Sequence, residues 1–438
     1  MFRQTPPPSR PHSKEEELRF RYRYWRVRIF YSMYIGYMFF YFTRNSFNTA
    51  KIGLGDSFGF SLSQLGLLTT VISISYGISK FISGIISDRS NPRYFMAVGL
   101  FVTGVLNIFF GMSSSFLFFV SIWALNGWFQ GWGWPPCAKL LTHWYSHSER
   151  GRWWGAWNSA HNIGAMLIPV ISSLVVKVWG WRFGMYVPGF LAIGMALFLV
   201  NRLRSTPDSM DLPSIEVYHG ESKREERSDY STKELLVEHV LKNRYIWALG
   251  IAYFFVYIMR TAINDWGQYY LVKAQGKEIV LSAVLGPIPF ELGGMLGAFA
   301  AGYLSDNVFG GRRMPANILF CLGVIAPFLG LWLIQSPSVP LLGAMMFCTG
   351  FFVFGPQMLI GMSAAELCPK QAAGTATGFV GLLAYFGAAV AGYPIGKVTD
   401  QWGWTGFFVV ITAAACIASS LLIPLWNIRR REEPSPTA

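Results

Sequence analysis

The sequence predicts an all-α membrane protein, with twelve transmembrane helices arranged as two pseudo-symmetric six-helix halves. Three observations carry this reading: a composition poor in charge, twelve apolar runs of spanning length, and an internal repeat. Of the 438 residues, 53% are hydrophobic, 17% aromatic and only 13% charged, where soluble chains carry about 25% charged residues. Mean hydropathy is +0.36. Glycine numbers 45, and with abundant Phe, Trp and Tyr it suits close-packed membrane helices with interfacial aromatic belts. This composition excludes a string of soluble domains, a disordered chain and a disulfide scaffold. Cys137, Cys321, Cys348, Cys368 and Cys416 show no CxxC spacing and lie in or beside apolar segments, as small packing residues do. No metal cluster or cofactor motif is present.

A spanning helix needs about 20 mostly apolar residues. Runs of that kind cover residues 27–49, 62–86, 94–112, 116–140, 153–177 and 183–200. A second set covers 245–268, 281–305, 315–334, 338–362, 373–397 and 405–426. The polar arm 1–26 precedes the N-terminal half (27–200). The connector 201–244, with Pro207, Pro213 and the charge-dense stretch from Glu221 to Asp229, reads as a surface linker. The C-terminal half (245–426) follows, and 427–438 form a tail.

Formal net charge is +13. Its placement matters more than its size. Twenty-six basic residues fall on the side of the two termini and the linker, and six on the other: Lys51, Lys177, Arg182, Lys273, Lys277 and Lys397. The positive-inside rule then puts both termini in the cytoplasm. The excess orients the chain in its lipid bilayer and is no nucleic-acid footprint.

The repeat is read at nearly constant spacing. Gly84-Ile-Ile-Ser-Asp88 matches Gly302-Tyr-Leu-Ser-Asp306, and each is followed by basic residues, Arg89 and Arg93 in one half, Arg312 and Arg313 in the other. Asp88, Arg89, Arg93, Asp306 and Arg312 are thus candidates for a gating motif. Trp179-Gly180-Trp181 matches Trp402-Gly403-Trp404, and Gly164 matches Gly387 at the same offset of 223. Arg28 and Arg44 match Arg244 and Arg260, both offset by 216. Six spans per half make the repeats parallel, which is the arrangement of major-facilitator transporters, with substrate bound midway between the halves.

Intramembrane cations are costly and mark cavities or pairs. The repeat places Arg44 and Arg260 at equal depth, one from each half. Guanidinium forks match a tetrahedral oxyanion bidentately, so two of them without an obvious acid partner point to a phosphate-bearing substrate. Lys80 either adds a third cation or reaches toward cytoplasmic water. His161, inside the fifth span, is either a phosphate partner or a packing residue. Glu291 and Asp265 are the charge-balancing candidates. Tyr37 and Tyr41 share the helical face of Arg44, and Tyr257 stands to Arg260 as Tyr41 does to Arg44. Prolines interrupt the fourth span (Trp134-Pro-Pro-Cys137) and the tenth (Gly355-Pro356), as hinges or as packing kinks. No nucleophile–base pair of an enzyme is evident.

Several motifs resemble those of the organophosphate:phosphate antiporters. They are Tyr41-Phe-Thr-Arg-Asn-Ser-Phe47, Tyr76-Gly-Ile-Ser-Lys80, Ser87-Asp-Arg-Ser-Asn-Pro-Arg93, Gly127-Trp-Phe-Gln-Gly131, Trp157-Asn-Ser-Ala-His-Asn162, Gly355-Pro-Gln-Met-Leu-Ile-Gly361 and Ala373-Gly-Thr-Ala-Thr-Gly378. Ala262-Ile-Asn-Asp-Trp-Gly267, Phe290-Glu-Leu-Gly-Gly294 and Phe351-Phe-Val-Phe-Gly355 look nearest to the hexose-phosphate transporter and sensor branch. The resemblance implies exchange of a hexose 6-phosphate for inorganic phosphate in a bacterial inner membrane, by a chain expected to act as a monomer. Its alternative is a sensor of external glucose 6-phosphate that signals to a membrane kinase. It matches Arg44 and Arg260 to the family's paired phosphate-binding arginines, with Lys80 and His161 beside them. Asn158, Gln130 and Trp134, which lie in or beside these motifs, complete the expected substrate-binding set. The sequence departs from the family at Asn45, where many members have Lys, and at Trp134, where a sensor relative has Ser.

Overall fold

A computed structural model describes residues 14–220, 234–369 and 372–428, and among these residues the secondary structure is entirely helical. Helix α1 runs Lys14–Phe58, about 67 Å at 1.5 Å per residue. It therefore begins inside the expected polar arm and continues well past residue 49. Glu15, Glu16 and Glu17 at its start complement the helix dipole, and Arg19 pairs with Glu15 at 2.7 Å, one turn apart. At the other end, Ala50, Ile52 and Leu54 are buried, so packing carries the helix onward. One expectation is corrected here. Lys51, counted above among the six basic residues on the side opposite the termini, sits inside α1 and is fully buried.

The other helices follow in chain order. They are α2 (Leu62–Asp88), α3 (Pro92–Met112), α4 (Phe116–Gln130, resumed as Trp134–Trp144), α5 (His147–Trp179) and α6 (Phe183–Arg202). After the linker come α7 (Arg244–Lys273), α8 (Ile279–Leu285, resumed as Pro287–Tyr303), α9 (Arg313–Gly323, resumed as Ile325–Leu333) and α10 (Val339–Glu366). Helix α11 starts as Ala373–Val390 and passes into Tyr393–Leu422, which bends at Gly403; beyond the bend it is α12. Nine segments of the described residues are long and apolar enough to cross a membrane. Helix α1, with its arginines, lysine and tyrosines, is less apolar, α4 is divided, and α11 and α12 form one of the nine.

Packing repeats with the sequence. Helix α1 lies on α5 as α7 lies on α11, α2 on α4 as α8 on α10, and α3 on α6 as α9 on α12. The halves meet through three pairs related in the same way: α2 with α11, α5 with α8, and α1 with α7. Many of their polar ties lie at the end opposite the linker, called here the far end. Lys273 pairs with Asp56 at 2.5 Å, and Lys177 with Glu278 at 3.2 Å. Asp400 accepts hydrogen bonds from the Leu62 and Ser63 backbone N–H groups at 2.9 and 2.8 Å. Thr70 Oγ1 donates to Ala389 O at 2.6 Å. The far end is sealed.

Two glycine pairs explain why the repeat is legible. Gly180 and Gly403 hold φ of +85° and +63°, with ψ of 171° and −163°, a backbone region reserved for glycine. Each turns the chain back into the next span. Alanine at Gly403 is expected to cost about 1–3 kcal/mol, read as a lower thermal unfolding midpoint of the purified protein. The second pair marks a close approach. A Cβ on Gly164 would stand 2.8 Å from Met38 O, and one on Gly387 would stand 2.0 Å from Phe254 O. The contacted residues differ by 216, the offset of the arginine pair.

The two proline sites act differently. Helix α4 breaks at Gly131–Gly133 and restarts with Pro135 and Pro136 in its first turn, where a missing N–H is harmless. Carbonyls along it accept from serines spaced four apart on α2. Ser75 donates to Ala124 O at 2.7 Å, Ser79 to Trp128 O, and Ser83 to Gly131 O at 2.7 Å. Pro356, by contrast, lies within a continuous α10.

Candidate functional site

The site lies where α1 and α7 meet. Asn48 Nδ2 donates to Asn264 O at 3.2 Å and to Asp265 Oδ1 at 3.3 Å. Asn48 and Asn264 are repeat equivalents, since their numbers differ by 216, so the pseudo-twofold axis passes between them. Four residues before each stand Arg44 and Arg260, on the same helical faces one turn toward the linker end. Both line one cavity of about 80 Å³, together with Tyr41, Tyr76, Tyr257, Tyr385, Asn45, Asn48, Thr69, Ser73, Thr261 and Asp265. That space admits several water molecules or one oxyanion.

Each guanidinium is held by aromatic faces. Arg44 Cζ lies 4.2 Å from the Tyr41 ring centroid and 5.3 Å from that of Tyr76. Arg260 Cζ lies 5.6 Å from Tyr257 and 5.2 Å from Phe354. Among the described residues neither arginine forms an ion pair, and Arg260 Nε is buried without a hydrogen-bond partner. Tyr41 and Tyr385 lie within electrostatic reach of both guanidiniums. Tyr76 also hydrogen-bonds Arg44, and Glu291 lies within electrostatic reach of both guanidiniums without forming an ion pair to either among the described residues, so two stacked cations from different halves keep donors available for an anion.

The remaining predicted residues divide into those near this pair and those elsewhere. His161 has its ring 5.7 Å from Tyr41 and lies within electrostatic reach of both arginines. Tyr37 is buried one layer back, between Tyr41 and Trp157 at ring distances of 5.8 and 4.8 Å. Lys80 Nζ lies 5.5 Å from the rings of both Trp134 and Tyr385, which brings Lys80 and Trp134 together beneath the tyrosines. Glu291 is 1% exposed, and its Oε2 accepts from Asn162 Nδ2 at 2.6 Å across the halves. Asp265 lines the cavity, and its Oδ1 also accepts from Asn264 Nδ2 at 2.6 Å.

Gln130 is placed otherwise than expected. It is buried, and its Nε2 donates to Thr43 Oγ1 at 2.8 Å and to Asn126 Oδ1 at 3.2 Å. Asn126 in turn donates to Asn107 Oδ1 at 2.8 Å. This network braces α1 behind Arg44 and does not line the cavity. Gln130→Ala is therefore expected to cost about 1–3 kcal/mol of stability by orphaning its partners, with phosphate affinity of the purified protein unchanged. Asn158 is exposed and also does not line the cavity.

The motif residues lie at the linker end. The side chain of Asp88 is outside the described residues. The Arg89 backbone N–H closes α2 on Ile86 O at 3.2 Å, and Arg93 Nε donates to Val200 O at 2.5 Å. Lys139 reaches the carbonyls of Ser87 and Ser90 at 3.1 and 2.8 Å. Asp306 pairs with Arg313 and not with Arg312, whose Nε donates to Phe309 O at 3.1 Å. Arg313 also holds Glu366 at 2.9 Å. Sequence reasoning missed Tyr385 and Phe354 as lining and stacking groups. It also passed over Tyr76 despite quoting its motif, whose spacing of four from Lys80 puts both on one face.

Known proteins share this sequence and shape. Residues 33–392 match the model of the Major Facilitator Superfamily. The chain is 50% identical to the "Probable hexose phosphate transport protein" of Chlamydia pneumoniae, over 99% of this chain and 98% of that protein. It is 49% identical to the "Membrane sensor protein UhpC" of Salmonella typhimurium, over 96% of each. Among solved structures, a bacterial homolog to the human lysosomal transporter Spinster, in an inward-facing and occupied conformation, superposes with a TM-score of 0.74 at 14% identity, over 91% of this chain and 96% of that one. That likeness is one of fold.

Proposed function

Since the chain belongs to the major facilitator superfamily, in the branch of hexose-phosphate transport proteins and membrane sensors, we propose that it is a secondary transporter exchanging a hexose 6-phosphate, glucose 6-phosphate first among them, for inorganic phosphate. The observation that carries this reading is the pair Arg44 and Arg260, which line one cavity from opposite halves and form no ion pair among the described residues. Sugar phosphate and inorganic phosphate present the same oxyanion, so either bridges the two guanidiniums and draws the halves together. The empty cavity keeps two like charges facing each other, a repulsion that low dielectric strengthens, and it re-orients slowly. Exchange, not net flux, follows from that difference. His161, Lys80 and the cavity tyrosines would supply further donors to phosphate and sugar hydroxyls. With Lys51 removed from the charge count, twenty-six basic residues still face five, which supports cytoplasmic termini and linker. The sealed far end would then face outward, across a bacterial inner membrane.

Phosphate-loaded proteoliposomes of the purified protein are expected to take up labelled glucose 6-phosphate, and vesicles lacking internal phosphate are expected to take up far less. Equal uptake by both would contradict obligatory exchange. The 49% identity to a membrane sensor favours a second reading, a receptor built on the same site. Binding of glucose 6-phosphate without any uptake would select it.

A further inference from the structure

Lys51 is buried with 0% of its surface exposed, and its Nζ has no hydrogen-bond partner. The ammonium rests 4.4 Å from the Trp266 ring centroid and 5.7 Å from that of Phe47. Trp266 belongs to the other half, and its indole N–H is pinned to Ala391 O at 2.9 Å. Among the described residues the acid within its electrostatic reach is Asp265, whose Oδ1 is already engaged by Asn48 and Asn264, and no ion pair reaches Lys51. A stacked indole recovers only part of the hydration that a buried ammonium gives up. The closed far end therefore confines an unsatisfied cation.

Its register says what it is for. Arg44, Asn48 and Lys51 stand at i, i+4 and i+7, one face of α1, and the first two line the cavity. Lys51 is thus the next group along that face, about 10 Å from Arg44 toward the far end. Separation of α1 from α7 at that end lifts the ammonium off Trp266 and bares it above the arginines. We infer that Lys51 is a state-dependent phosphate-capture site, hidden under Trp266 in the closed far end and presented to phosphomonoesters or inorganic phosphate arriving from that side. An ammonium is a compact point charge suited to first capture, and the arginine forks to final seating. The inference rests on the exchange reading above.

The test is binding of labelled inorganic phosphate and glucose 6-phosphate to right-side-out and inside-out membrane vesicles bearing the full chain. Lys51→Met is expected to weaken binding about tenfold at the far-end face and to leave the linker-end face as tight or tighter, because the variant also relieves the sealed state of its buried charge. Lys51→Gln serves in the same comparison should the Met variant fail to insert. Equal losses on both faces, or an unchanged far-end affinity, would overturn the inference while leaving the exchange reading intact. Wild-type protein that binds neither ligand on either face would overturn both.

Discussion

Arg260→Lys is expected to lower exchange of glucose 6-phosphate for phosphate about 10- to 100-fold, the equivalent of about 1.5–3 kcal/mol for a charge-assisted hydrogen bond. The substitution keeps the positive charge and removes the planar fork, so a site that needs only charge would barely change. Arg44→Lys is expected to lose as much, because the two residues are repeat equivalents lining one cavity. Initial rates in phosphate-loaded proteoliposomes check both. The loss belongs in phosphate affinity, and both proteins should retain wild-type thermal stability, since neither arginine is tied to an acid among the described residues. Rates within twofold of wild type in either variant would remove that residue from the site.

The largest structural effect is expected from Gly387→Val. A Cβ there meets the Phe254 carbonyl at 2.0 Å and its carbon at 2.8 Å, so α11 cannot pack against α7 without backbone movement. Overpacking of this kind costs about 1–3 kcal/mol, and a clash with backbone on the helix that carries Arg260 places it at the upper end. Gly378→Val, about two and a half turns earlier on α11 with nothing within 4 Å of its Cβ, is the control and is expected to be near neutral. Folded yield and melting temperature of the two variants in detergent measure the difference. Equal behaviour would mean that α11 does not approach α7 as described.

What the sequence disclosed and withheld follows from the kind of signal each residue leaves. Arg44 and Arg260 stood out because a cation inside an apolar run is rare and the repeat supplied a second one at the same register. The Trp-Gly-Trp motifs were legible because only glycine turns the chain there. Lys51 was misplaced because the apolar-run rule ends a helix at its first polar cluster, whereas α1 continues to Phe58 on buried packing that includes Trp181 and Phe119 of its own half. Gln130 looked like a ligand group because nothing in one sequence shows that Thr43 and Asn126 lie within its reach. Tyr385 left no mark, since a tyrosine in an apolar span reads as interfacial and its repeat equivalent is Asn162. In the linker-end motif, adjacent Arg312 and Arg313 could not be told apart until the turn at Gly310 and Gly311 aimed the second at Asp306 and Glu366.

The most direct measurement is a structure of the protein with glucose 6-phosphate bound, at a resolution that locates the phosphate. The account predicts oxygens of one phosphate about 2.7–2.9 Å from the guanidinium nitrogens of both Arg44 and Arg260, one arginine from each half. A phosphate held by one half alone, with the other guanidinium turned away from it, would contradict the account.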